Sequence, residues 1–377
     1  MSRRRGQGEG TIIQRPDGRW AAAVSLGNGR RKWFYGKTHR EVRDKLTGAL
    51  RAHQQGLPLA GERQKVDAFL ARWLDEVARP KVRPSTFRSY ESLVRIHIAP
   101  ALGHVPLAKL TPQDVNALLS QKLVGGLSPR RVQLIRIVLH MALKQATRWG
   151  LLPRNVAGLV DSPKVERREV QPLNPDEARA FLASVAGDRL EAVYFVALAL
   201  GLRQGEALGL RWADVDLESG SAVVTASLQR IAGKLERVAT KTKQSRRTAA
   251  LPSIVIDALR RHRVRQMQER LVAGSRWVET GLVFTTTRGT PIDGRSVYRR
   301  FQAALARAGL RRVRFHDLRH SFASLLIAQG IHPKVLQASL GHATIGVTMD
   351  TYGHLFADAQ RDAATKMNAV FAGPSGR

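Results

Sequence analysis

Two short stretches without apolar periodicity, residues 57–63 and 161–172, decide what this 377-residue chain can fold into. The first holds Pro58 and Gly61; the second holds Pro163, Pro172 and a charge run from Lys164 to Glu169. Neither offers a face that a core could cover, so both read as linkers. Three parts remain, residues 1–56, 64–165 and 172–377. Each must bury an apolar core of its own.

The first part alternates like a sheet. Strand-like runs at 11–15, 20–26 and 31–35 are separated by Pro16-Asp17-Gly18 and Gly27-Asn28-Gly29, both hairpin turn chemistry. A helix follows, with Thr38 as N-cap, Glu41 completing a capping box, and Val42, Leu46 and Leu50 on one face. Residues 1–9 are basic and aperiodic, and disorder is expected there. The middle part reads as all helix. Its helices cover 66–77, a run from Ser85 with Phe87, Tyr90, Val94 and Ile98, a run capped by Thr111, and a run from Ser128-Pro129 to Trp149. The third part is mixed. Asn174-Pro175 opens a helical region to about Gly209; strands are predicted at 222–228 and 235–251, with Gly233 near their turn; helices resume at Pro252. The fold class is therefore multidomain and mainly α, with small β parts: a three-stranded sheet plus helix, a helical domain, and a mixed α+β domain.

Charge narrows the partners. Sixty-two Lys and Arg against 30 Asp and Glu give a formal net charge of +32. Such an excess repels itself in a compact chain, so it reads as a footprint for a polyanion. Nucleic acid fits best, because basic side chains release counterions condensed on phosphates. Residues 1–56 alone carry 13 basic and 4 acidic side chains. In the middle part Arg83, Arg88, Arg95, Arg130, Arg131 and Arg136 lie beside the apolar faces. A membrane is a poor alternative. The most apolar stretch, residues 193–202, is about half of the ~20 residues a bilayer span needs. No apolar run follows the basic N-terminus, so no signal peptide is expected. The chain has no cysteine, which excludes disulfides, thiolate zinc sites and Cys nucleophiles. A cytoplasmic, nucleoid-associated protein fits these features.

Five of the 11 histidines fall between His316 and His354. On a helix, His316 and Arg319 share a face and would form a phosphate clamp with a proton acceptor beside it. A metal reading competes, because His316 and His320 have the i,i+4 spacing of zinc hydrolases. It fails on chemistry: no Glu follows His316, Arg319 would repel the cation, and no carboxylate pair lies nearby. No metal or cofactor is expected. Among the five tyrosines, Tyr35 ends a strand, Tyr90 and Tyr194 sit at apolar helical positions, and Tyr298 precedes the histidine cluster. Only Tyr352 follows that cluster between small neighbours, Thr351 and Gly353. His320, His332 and His354 read as structural.

In these elements the sequence resembles the phage integrase, or tyrosine recombinase, family. Gly201-Leu202-Arg203-Gln204-Gly205-Glu206 is similar to the family's first-arginine box, and Lys241-Thr242-Lys243 to its hairpin lysine segment. His316-Asp317-Leu318-Arg319, Leu340-Gly341-His342 and Tyr352 follow in the family's order, with Tyr352 ten residues after His342. One departure is Thr240, where many relatives have Pro; it leaves Lys243 open as the alternative to Lys241. Residues 64–165 resemble the core-binding (SAM-like) domain, and residues 1–56 the arm-binding module of lambda-like integrases. The resemblance implies a site-specific recombinase acting on double-stranded DNA attachment sites as a homotetramer, helped by an accessory DNA-bending protein or excision factor. It implies a 3′-phosphotyrosine at Tyr352, Arg203 and Arg319 on the phosphate oxygens, His342 as a further donor, Lys241 as general acid and His316 as proton acceptor. Glu206 reads as support for a catalytic side chain, and a helical tail over 357–371 as a docking segment for a neighbouring subunit. A type IB topoisomerase-like relaxase would share the chemistry but would need no arm module. A non-catalytic DNA-binding regulator should lack a catalytic position, and none is missing.

Overall fold

The computed structural model describes residues 10–25, 31–54, 64–166, 171–239 and 246–356, with Ala364, Met367, Asn368 and Phe371 of the tail. The expectations for residues 1–9, the Gly27-Asn28-Gly29 turn, the 57–63 linker, part of the 161–172 linker, Thr240, Lys241, Lys243 and most of the tail lie outside these residues. The chain divides into two compact units, residues 1–167 and 168–377.

In the first unit, β1 (Thr11–Gln14), β2 (Trp20–Ser25) and β3 (Arg31–Gly36) form an antiparallel sheet in that order. Gly18 turns the first hairpin with φ 78°. Helix α1 (His39–Gln54) lays Val42, Leu46 and Ala49 against Ala22 and Val24, a small core of its own. Thr38 Oγ1 accepts from the Glu41 amide at 3.2 Å. The Glu41 carboxylate accepts from Lys37 N at 3.0 Å, one residue ahead of the position a capping box would use.

The helical part of this unit is more continuous than its periodicity suggests. Helix α2 (Val66–Trp73) runs through a π turn at Leu74–Ala78 into α3 (Arg79–Lys81), past the predicted end at residue 77. Helix α4 (Pro84–Leu93) likewise passes through a π turn at Val94–Ile98 into α5 (Ala99–Leu102). Helix α6 (Pro112–Val124) has the full Thr111–Asp114 capping box, and α7 (Pro129–Arg148) starts on Ser128. Phe69, Leu70, Ile98, Val115, Ile135, Leu139 and Leu143 fill the core. Arg136, one of the arginines of the expected basic surface, donates instead to Val160 O at 2.7 Å.

The second unit opens with α8 (Pro175–Ser184), closed by an Asn174–Glu177 capping box, then α9 (Glu191–Ala199) and the short α10 (Gln204–Leu208). The run predicted as one strand at 222–228 is two. Strands β4 (Val215–Asp216), β5 (Ser221–Val224) and β8 (Arg247–Ala250) form one sheet, in that order. Strands β6 (Ala226–Ile231) and β7 (Lys234–Ala239) form a separate ribbon around Ala232-Gly233. Thr225 pairs in neither ladder, and its hydroxyl donates to Asp214 and accepts from Arg237. Helices α11 (Ser253–Ala273), α12 (Gly294–Arg307), α13 (Asp317–Ala328), α14 (Pro333–Leu340) and α15 (Ile345–Tyr352) complete the unit. Phe181, Tyr194, Phe301 and Phe315 meet edge-on or tilted at the centre of the main core. A smaller cluster gathers Ala323, Ile327, Leu336, Leu340 and Tyr352. No helix among the described residues is long and apolar enough to cross a membrane.

One buried hydroxyl fastens α13 to the start of this unit. Ser321 Oγ donates to Asp317 O at 2.9 Å and accepts from Leu173 N at 2.8 Å. Ser321→Ala leaves a buried amide without its acceptor. Chemical denaturation should show a loss of about 1–3 kcal/mol; an unchanged midpoint would contradict this anchoring.

Candidate active site

Helix α9 stops because Gly201 takes φ 60°. A Cβ there would sit 2.4 Å from Phe322 Cδ1, so the turn packs directly on α13. The turn delivers Arg203 to the start of α10. Its backbone N and Nη1 both bond Glu206, at 3.2 and 2.7 Å. Glu206 is only 4% exposed. Its Oε2 also accepts from Arg247 Nη2 at 3.0 Å. Gly205 lets α10 lie against β6, where a Cβ would come 2.4 Å from Ser227 Oγ.

Arg247 reaches further. Its Nε donates to Ser339 O at 2.8 Å, near the end of α14. That helix ends at Gly341, left-handed with φ 63°, where a Cβ would lie 3.0 Å from Arg247 Nη1. His342 follows at once, with Nδ1 2.9 Å from the buried Thr348 hydroxyl of α15. Arg319, buried in α13, donates to Gly201 O at 2.8 Å and to Leu340 O at 2.5 Å. Its two anchors are the turn before Arg203 and the residue two before His342.

Tyr352 ends α15 with its ring in the small apolar cluster, 4% exposed. Its hydroxyl lies 2.8 Å from His320 Nδ1. His320 in turn meets His316 edge-on, with ring centroids 5.1 Å apart.

The electrostatics follow from crowding cations beside rings that are buried to different degrees. Burial pushes the Tyr352 phenol up to about 12, although Arg319 and Arg203 pull the other way. His316 and His342 are each pushed down to about 4. Desolvation is the first cause in both. For His316 the charges of His320, Arg319 and Arg203 add to it, and for His342 those of Arg319, Arg203, Arg247 and His320. The outer side of His316 stays exposed, yet its neighbouring cations still favour the neutral ring. Burial and Arg203 lower Arg319 to about 9, which leaves it charged at neutral pH. Burial alone would raise Glu206, but Arg247 and Arg203 outweigh it and hold the carboxyl below its ordinary range.

Arg203, His316, Arg319, His342 and Tyr352 thus come within electrostatic reach of one another, while Lys241 lies outside the described residues. Such a set suits a phosphate: fixed guanidinium forks, neutral imidazoles and a hydroxyl nucleophile. Among the described residues, no group of three or more His, Asp or Glu side chains is arranged to hold a metal.

Known proteins carry the same arrangement of parts. The phage integrase family pattern matches residues 171–358, and the N-terminal SAM-like domain of phage integrases matches residues 66–123. A tyrosine recombinase XerC-like protein of Caldanaerobacter subterraneus subsp. tengcongensis is 30% identical, over 93% of this chain and 96% of its own. An integrase of Streptomyces ambofaciens is 33% identical over 98% of both chains. The chain belongs to the phage integrase family of tyrosine recombinases. Among solved structures, Tn1549 transposon integrase in complex with transposon right end DNA aligns with TM-score 0.68 and 23% identity, over 82% of this chain and 100% of that one. A lambda integrase tetramer bound to a Holliday junction aligns with TM-score 0.55 and 22% identity, over 91% and 94%. At these identities the likeness is one of fold.

Two residues of this recombinase site escaped sequence reasoning. Arg247 lies four residues beyond the Lys241-Thr242-Lys243 segment, and the burial alternation of β8, which turns it inward, is the signal for it. His320 was read as structural, yet it is the residue that touches the Tyr352 hydroxyl. His332 does hold a structural place, accepting from Lys334 N at the start of α14.

The Glu206 pairing makes a stability prediction. A carboxyl lowered in the fold contributes fully above the unfolded value of about 4.3, and that contribution is lost as pH falls through the lower folded value. Glu206→Gln should cost about 3–5 kcal/mol at neutral pH, because Arg247 stays buried without its counter-ion. The gap to wild type should narrow in acid. A gap independent of pH would place the carboxylate's role elsewhere.

Proposed function

We propose that this recombinase is a site-specific integrase that cleaves and rejoins duplex DNA through a 3′-phosphotyrosine at Tyr352. It would thereby integrate or excise a mobile element such as a prophage or integrative plasmid. The observation that carries the reading is the convergence of Arg203 and Arg319 on the neighbourhood of one tyrosine hydroxyl, tied together by Glu206, Arg247 and two backbone carbonyls.

The chemistry follows from charge. Attack of the tyrosine oxygen on phosphorus builds negative charge on the non-bridging oxygens. Arg203 and Arg319 meet that charge with rigid donor forks that need no reorganisation. His342, oriented through Nδ1 by Thr348, donates from its other nitrogen. Lys241 protonates the departing 5′-oxygen, and the tyrosine proton goes to the His316–His320 pair. The phosphotyrosine conserves the energy of the broken phosphodiester, so rejoining needs no ATP, and no step calls for a metal.

The parts have matching tasks. Residues 172–377 carry the chemistry; residues 64–165 clasp the core site with their basic helices; residues 1–56 bind arm sites through a basic sheet. The relatives' integrase names, and the DNA and Holliday junction in the titles of the similar structures, support double-stranded DNA and a tetramer as partners. An accessory bending or excision factor suits the arm module, and the bacterial cytoplasm is the expected setting.

Tyr352→Phe should abolish covalent DNA adducts on a nicked attachment-site duplex while leaving site binding within about a few fold, since one hydroxyl among many phosphate contacts is lost. Persisting adducts would move the nucleophile elsewhere. Cleavage should also proceed unchanged in EDTA; loss in the chelator, restored by zinc, would revive metal chemistry.

A further inference from the structure

The residue in contact with the nucleophile is His320, one helical turn beyond the histidine of the His-x-x-Arg element. Its Nδ1 lies 2.8 Å from Tyr352 Oη, within hydrogen-bond distance, and the two rings lie 5.6 Å apart at 58°. The contact spans 32 residues and joins α13 to α15. Because Tyr352 ends α15, small rotations of that helix end would swing the hydroxyl unless a partner held it. His316 stands behind His320, edge-on at 5.1 Å.

We infer that His320 is a catalytic residue: it holds the Tyr352 hydroxyl beside the arginine clamp and takes its proton during attack on DNA. This rests on Tyr352 being the nucleophile. In the step, the Tyr352 Oη–phosphorus bond forms as the phosphorus–O5′ bond breaks. The bonding pair leaves with O5′, which is protonated by the site's general acid. The tyrosine proton passes to Nδ1 of His320. Rejoining reverses the traffic: the 5′-hydroxyl attacks, and His320 returns the proton to the phenol.

The environment suits this role. A neutral imidazole with its proton on Nε2 presents Nδ1 as an acceptor. His320 is kept neutral first by burial, then by the charges of Arg314 and Arg319, with Asp317 opposing them. The other titratable groups around it are His316 at the N-cap of α13, Tyr352 on α15 and His342 between α14 and α15. None of these is an anion that would favour its imidazolium form at neutral pH. An arriving phosphate adds negative charge, which favours the imidazolium formed as the tyrosine loses its proton.

The test uses the full chain and nicked duplexes carrying the element's attachment core, obtained by sequencing its junctions. One duplex has an ordinary scissile phosphate. The other has a 5′-bridging phosphorothiolate, whose thiolate leaves without needing a proton. His320→Ala should slow cleavage by about 10²-fold or more on both duplexes, the range of a lost proton acceptor. His320→Asn keeps an acceptor near the Nδ1 position but takes no proton. It should stay slow on both, and should lose the fall in rate toward low pH that wild type shows. Thermal melting and site binding like wild type for the Asn variant establish that folding is intact. Cleavage by either variant at or above the wild-type rate overturns the inference. So does rescue by the phosphorothiolate, which would assign His320 to the leaving group. Adducts that persist in Tyr352→Phe would instead refute the nucleophile itself, a separate failure.

Discussion

The Glu206 carboxylate lies buried between two guanidinium groups, and the candidate site is organised around that contact. One oxygen fixes Arg203; the other fixes Arg247, which carries the link on to Ser339 near the end of α14. Through these bonds the start of α10, strand β8 and the approach to His342 share one charge network. The carboxylate is expensive to bury alone and becomes favourable only with both cations in place. The carboxylate and the two guanidinium groups are therefore energetically coupled.

Arg319 supplies the second tie. It is buried, and among the described residues its guanidinium donates to the main-chain carbonyls of Gly201 and Leu340. Main-chain acceptors hold a guanidinium in place without neutralising it. Its charge therefore stays available to a phosphate. Arg203 thus has a carboxylate partner, whereas Arg319 is held by main-chain carbonyls among the described residues. Gly201 and Gly341 both adopt a left-handed φ: a Cβ at Gly201 would meet Phe322, while its carbonyl accepts from Arg319, and a Cβ at Gly341 would meet Arg247.

Much of this was legible in the sequence where the signal is local. The caps at Thr111 and Asn174 announce α6 and α8, because a side chain and an amide three residues on settle the geometry between them. The order Arg203, His316, Arg319, His342, Tyr352 was legible as a pattern. Less legible were features that depend on distant partners. Thr225, at the break between β5 and β6, bonds Asp214 and Arg237, and the role of Arg247 needs Glu206 and Ser339. His320 sits one residue after Arg319, so helical spacing alone turns it off the arginine's face; only the return of the chain 32 residues later gives it Tyr352. The π turns at Leu74–Ala78 and Val94–Ile98 leave no mark in the apolar periodicity, which simply runs through them.

The central claim is a covalent bond between DNA and one particular oxygen. Trypsin cuts this chain after Lys334 and Arg361, so residues 335–361 leave as one peptide whose only tyrosine is Tyr352. Mass spectrometry of the trapped, nuclease-trimmed complex reads the attachment directly. The account predicts a nucleotide remnant on Tyr352 of that peptide. A remnant on Tyr298, or on any other side chain, would contradict it.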